Sequence, residues 1–185
     1  METAARYSET KIKTYGFETK TDLCICEFNL EFEPFKQKDP WLSGTEKGTI
    51  PFEMIFLGPS GRISVVAANQ HRHAVRRLIN AMDSNFDDTK MHVTAPVELL
   101  YFYGPHFGDR FGIAENTLNA LAQEKIPLIA SACSGSSVFL VLPDNYALKA
   151  KTVFSILYDV PQTVQPPPFS GLGPSARHRR REGQQ

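Results

Sequence analysis

The residues best suited to chemistry are gathered in Gly104-Pro105-His106-Phe107-Gly108-Asp109-Arg110-Phe111-Gly112-Ile113, a glycine-rich stretch between an apolar, β-prone run and a helical pattern. Glycine lets a backbone approach a ligand closely, and the free N–H groups and positive dipole end of a helix start favour a carboxylate or phosphate. Asp109 is placed to receive an ammonium group. Backbone amides for one charge and a side-chain carboxylate for the other suit a free amino acid. A turn whose glycines only satisfy backbone geometry is the competing reading.

Other reactive types are poorly arranged. His71 and His73 are two apart on a helical pattern, so they point in different directions and do not suit shared metal ligation. Ser134, Ser136 and Ser137 lack the G-x-S-x-G setting of a nucleophile and read as turn residues. Glycines at 104, 108 and 112 do not have the G-x-G-x-x-G spacing, and no Walker loop is present. No cofactor is implied. Cys24 and Cys26 fall on one face of a strand-like run, Cys133 stands alone, and all three are expected to be reduced and buried as small hydrophobes.

These residues need elements to hold them, and the elements repeat. Sliding the chain against itself by 75 positions sets Asp22–Asn29 on Val97–Gly104, Met54–Arg62 on Ile129–Ser137, and Ile63–Met82 on Val138–Leu157. Each copy reads as strands, a tight turn, a strand and a helix, with Asn69 and Asp144 as expected N-caps. Helical stripes stay aligned: Val75, Leu78, Ile79 and Met82 against Ala150, Val153, Phe154 and Leu157. A further helix is expected where Ala114, Leu118, Leu121 and Ala122 recur at helical spacing before Pro127. At the corresponding place in the first copy, Pro34, Pro40, Gly44 and Gly48 disfavour a helix, and a loop is expected instead.

A fourth strand would complete each copy as a ferredoxin-like βαββαβ unit. Lys90–Thr94 is the candidate in the first copy and Gln162–Gln165 a weaker one in the second. The expected fold class is therefore α+β, with two ferredoxin-like units in tandem. The expected organisation is a loose N-terminus over 1–20, a degenerate unit over 21–95, a ligand-binding unit over 96–160, and a disordered Pro-rich, basic tail over 161–185.

The segment GPHFGDRFGIAENTLNALAQEKIPLIASACSGSSVFLVLPDNYALKA resembles an ACT domain, a regulatory amino-acid-binding module, and most resembles the tandem pair that ends aspartokinases. The likeness rests on the order of the G-D-R-x-G-I-A loop, the Ile126-Pro127 turn and the serine-rich hairpin, over Val97–Leu157. ACT domains associate side by side with ligands at the interface. The resemblance therefore implies that Gly108, Asp109, Arg110, Phe111, Gly112 and Ile113 line a ligand, with Ile129, Ala130 and Ser131 contributing from a facing domain. In the first copy Glu33-Pro34-Phe35-Lys36-Gln37 replaces Gly108–Gly112, so that copy is expected to supply at most a facing strand, Met54–Leu57.

Twenty basic and twenty acidic residues cancel, so no global field draws the chain to nucleic acid, and a role for the Arg177–Arg181 cluster in such binding is disfavoured. No apolar run approaches the ~18 to 20 residues of a membrane span, and a cytoplasmic protein is expected. The 185 residues leave no room for a kinase domain beside the two units. The expectation is a non-catalytic regulatory protein binding a small ligand, an amino acid, with a homodimer and a partner enzyme as its associations. The alternative is a structural or dimerisation module that has lost the ligand.

Overall fold

Two long strands, each β-branched and aromatic along much of its length, lie side by side at the centre of the fold. The computed structural model describes residues 11–29, 50–58, 61–82, 90–105, 107–108 and 111–160. Its elements are β1 (Phe17–Asn29), β2 (Phe52–Leu57), β3 (Arg62–Ala68), a 3₁₀ turn (Asn69–His71), α1 (Arg72–Met82), β4 (His92–Tyr103), α2 (Ile113–Gln123), β5 (Ala130–Ser134), β6 (Ser137–Pro143) and α3 (Ala147–Leu157). All strand pairs are antiparallel, in the order β2-β3-β1-β4-β6-β5.

Each half of this sheet is one repeat, and the central strands are shared between them. Leu23–Asn29 of β1 pair with β3, while Ile25–Glu27 also pair with His92–Thr94, the opening of β4. The expected fourth strand of the first unit is thus present. Val97–Tyr103 of β4 pair with β6, and their other neighbour is Phe17–Lys20, the opening of β1. Residues 17–20, read from sequence as a loose terminus, therefore fill the fourth-strand position of the second unit. Gln162–Gln165, the expected occupant, lies outside the described residues, as do the loop expected between β1 and β2 and the 161–185 tail.

Equivalent ladder positions refine the repeat. Ile63 pairs with Phe28 and Leu57, and Val138 pairs with Phe102 and Cys133. The offset is therefore 75 for β3 and β6 but 74 for the central strands and 76 for β2 and β5. Ungapped alignment placed Asp22 on Val97 and Met54 on Ile129; the ladders place Leu23 on Val97 and Met54 on Ala130. A single-residue slip reverses which face a strand residue occupies, so the distinction decides the core. The β1–β4 ladder itself shifts register between Lys20 and Leu23 and again between Leu23 and Ile25, with Asp22 in the left-handed region at φ 54°.

The three described helices cover one face of the sheet. Cys24, Cys26, Phe28, Ile63, Val65 and Ala67 pack with Val75 and Ile79 of α1. Leu100, Phe102, Val138, Leu140 and Leu142 pack with Ile113 and Leu121 of α2 and Ala147, Ala150 and Phe154 of α3. Phe102 is ringed by Phe17, Phe107, Phe154 and Tyr158 at centroid distances of 5.2 to 5.8 Å. On the opposite face Leu23, Ile25, Val66, Val97, Leu99 and Val141 are at most 3% exposed, although no described helix covers them. The sheet curls over this face: Lys20 of β1 forms an ion pair with Glu53 of β2, a strand that is not its neighbour.

The expected N-caps are also replaced. Asn69 opens the 3₁₀ turn and donates its amide to Asp22, and Asp144 accepts from Asn145. At α3 the first backbone N–H, that of Ala147, donates instead to the buried carboxylate of Glu98 at 2.7 Å. An acid from the neighbouring strand thus meets the orphan donors and positive dipole end of the helix.

Candidate functional site

Gly104 follows β4 at a position where only glycine fits. A Cβ there would strike the Lys13 carbonyl and the Phe107 ring, and its N–H donates to the Ser136 carbonyl at 3.3 Å. The N-terminal segment, the loop after β4 and the β5–β6 turn are therefore packed together. Phe107 is buried against Phe102, which anchors the loop's first half in the core.

The second half ends at Gly112, which caps α2 with φ 85° and ψ 0°. An L side chain disfavours that conformation, so glycine is what allows the chain to turn directly into the helix. Gly112 accepts from the Asn116 N–H at 2.8 Å, completing the first turn. Ile113 is buried, and its carbonyl accepts from Thr117 Oγ1 at 2.7 Å and from the Tyr158 hydroxyl at 3.3 Å. Burial raises the Tyr158 pKa above its ordinary value, with the Thr117 contact opposing the shift.

Phe107, Phe111, Gly112, Ile113 and Ala114 form one wall of a cleft of about 230 Å³, and Cys133, Gly135, Ser137 and Val138 form the other. The phenyl ring of Phe111 is fully exposed, and Gly108 is exposed beside the turn at Gly135. Asp109 and Arg110 lie outside the described residues. Cys133, expected to be buried, is exposed at the cleft, and burial of its surroundings raises its pKa. By contrast Cys24 and Cys26 are buried as expected.

Ile129, Ala130 and Ser131 do not join this cleft within one chain. They stand at and just before the start of β5, away from the turn, from about 7 Å (Ser131) to about 13 Å (Ile129) along the strand from Cys133. Ile129 and Ala130 are half-buried against the helix-free face. The strand Met54–Leu57 forms the far edge of the sheet, and its Leu57 end lies level with Phe28 rather than with Phe102. It cannot face the loop after β4 in the same chain. The wall that sequence reasoning missed, Cys133, Gly135 and Ser137, comes from the serine-rich hairpin, whose contact with the loop is visible only once Gly104 meets Ser136.

Among the described residues no group of three or more His, Cys, Asp or Glu is placed to hold a metal ion, and no helix is long and apolar enough to cross a membrane.

Among solved structures the regulatory subunit of aspartate kinase from Thermus thermophilus, in its ligand-free form, superposes with a TM-score of 0.65 at 12% identity, over 80% of this chain and 99% of that one. The fold is that of the aspartate kinase regulatory region. Aspartate kinase from Synechocystis matches with a TM-score of 0.67 at 16% identity, over 85% of this chain but 29% of the enzyme. Aspartokinase III of E. coli, in complex with lysine and aspartate, matches with a TM-score of 0.56 at 10% identity, over 83% of this chain and 35% of that one. This aspartokinase-like regulatory fold is an α+β arrangement of two ferredoxin-like units, as the repeat implies. No protein-family model and no curated protein sequence matches the chain.

Proposed function

We propose that this chain is a non-catalytic regulatory protein that binds a free amino acid beside the loop after β4 and signals by changing how its units pair. The observation that carries this reading is the directness with which the loop enters α2: left-handed Gly112 presents the helix start next to an open cleft. Free N–H groups at such a start favour an α-carboxylate. The cleft is shallow, and Phe111 stands beside it with its ring wholly exposed, a geometry that a facing unit would complete. Ile129, Ala130 and Ser131 would then act from a second chain. A relative of the same fold is described in complex with lysine and aspartate.

Thermal denaturation with each of the twenty amino acids tests the reading, because a ligand that binds only the native state raises its stability by mass action. The expected result is a shift with one or a few of them, accompanied by a change in oligomeric state. No shift with any at millimolar concentration would defeat it. A second reading, a pairing module without ligand, is favoured by Ile55 and Leu57, which are exposed on the edge strand β2. Self-association that is indifferent to every amino acid would select it.

A further inference from the structure

Helices α2 and α3 are joined at both ends. Lys149 Nζ donates to the Glu124 carbonyl at 2.7 Å, and the Tyr158 hydroxyl meets Thr117 Oγ1, so the two helices run antiparallel. Between them lies a groove of about 680 Å³ whose described floor is apolar: Ala120, Val153, Ile156 and Leu157. Ile156 is 71% exposed there. Apolar surface in such a groove gains free energy when water is displaced from it. Lys11, the first described residue, lines the same groove. Its neighbour Ile12 accepts the Asp159 N–H at 2.9 Å just past the end of α3, so the ten residues before Lys11 join the folded body at that end of the groove. In METAARYSET, Met1, Ala4, Ala5 and Ser8 recur at three- and four-residue spacing, which would give a helix one small, largely apolar face. From Leu157 back to Lys149 α3 covers about 12 Å, and ten helical residues cover about 15 Å, so the segment matches the groove in length. Its charged side chains are Glu2, Arg6 and Glu9, whereas those of the described walls are Lys11, Lys149 and Glu124, so the charges are complementary.

We propose that residues 1–10 dock as a short helix in the groove between α2 and α3, with the Met1-Ala4-Ala5 face on Val153 and Ile156 and Glu2 directed toward Lys149. This is helix-in-groove recognition with the occupant supplied by the chain itself. Small residues on the docked face let a third helix approach the other two closely. A segment this short is not a stable helix alone, but the tether at Lys11 makes docking intramolecular, at an effective concentration on the order of millimolar. The groove is separate from the cleft beside Gly112, and the proposal does not depend on amino-acid binding there.

Amide hydrogen exchange of the full chain, followed residue by residue by NMR, tests the docking, because a docked helix protects its amides in proportion to its population. The amides of residues 5–10 are expected to exchange at least tenfold more slowly than in a free peptide of the same sequence. Ile156→Asp on the groove floor and Ala5→Asp on the segment should each remove most of that protection. Leu148→Asp, on the same helix and similarly exposed but outside the described walls, should alter it less than twofold. Ile156 and Leu148 are exposed, so both variants keep the core, which circular dichroism would verify. Exchange at the free-peptide rate in the unsubstituted chain, or a loss with Leu148→Asp equal to that with Ile156→Asp, would overturn the docking. So would protection that rises with protein concentration, which would place a second copy in the groove.

Discussion

The Tyr158 hydroxyl lies 2.6 Å from Thr117 Oγ1, which ties the residue after α3 to the second turn of α2. Thr117 in turn donates to Ile113, the first residue of α2. The position of the helix start, and with it the cleft, is therefore set from the end of the second unit.

Removing that hydroxyl should be felt at both places. Tyr158→Phe is expected to cost about 1 kcal/mol, the net worth of one buried hydrogen bond, measured as a shift in urea midpoint. Thr117→Val should cost a similar amount, and the double variant less than the sum, because both remove one interaction.

The same residue gives a pH dependence. The folded-state pKa of Tyr158 is raised, so its contribution is complete below the unfolded value of about 10 and is lost as pH rises through the higher folded value. Above pH ~10 the unfolded chain releases the phenolic proton first, and stability falls. Tyr158→Phe should flatten this alkaline limb in equilibrium unfolding between about pH 9 and 11; a limb that stays as steep would assign it to other groups.

The N-terminal strand offers a sharper test of the shared sheet. Phe17 is half-buried, with its ring 5.2 Å from Phe102 and 5.9 Å from Phe154. Phe17→Ala is expected to cost about 2 kcal/mol, below the range for a fully buried phenylalanine. Deletion of residues 1–20 should expose the edge of β4, and hydrogen exchange in Val97–Tyr103 should rise well above that in β3.

Glu98 is buried and accepts the Ala147 N–H. Glu98→Ala should destabilise the protein by about 2 kcal/mol, since it removes both a cap and a charge at a helix start. Asp144→Ala, at the position expected from sequence to cap α3, should change little in the same denaturation assay.

Two glycines of the loop should respond differently. Gly104→Ala forces a methyl into the Lys13 carbonyl and the Phe107 ring, so it should lower the yield of folded protein. At Gly112 there is room for a methyl, whose nearest neighbour is Asn116 Nδ2 at 3.8 Å, and only the backbone conformation opposes it. Gly112→Ala should therefore fold with a loss of about 1 kcal/mol while weakening any ligand-induced thermal shift.

The sequence by itself determined the local elements. Period-two and helical spacing located β3, β6, α1, α2 and α3, and the spacing of 75 related β3 to β6 and α1 to α3, because those segments are the same length in both copies. The loop was legible through its glycines. Tertiary structure decided what is non-local: that Phe17–Lys20 complete the second unit, that the central strands are related by a spacing of 74 rather than 75, and that Glu98 rather than Asp144 meets the start of α3. It also decided that Cys133 and Gly135, not Ile129, stand opposite Gly112 within one chain. Single-residue register and strand partnership depend on which surfaces are buried together. A pattern read along the chain fixes which residues are apolar, but only the folded sheet fixes what they face.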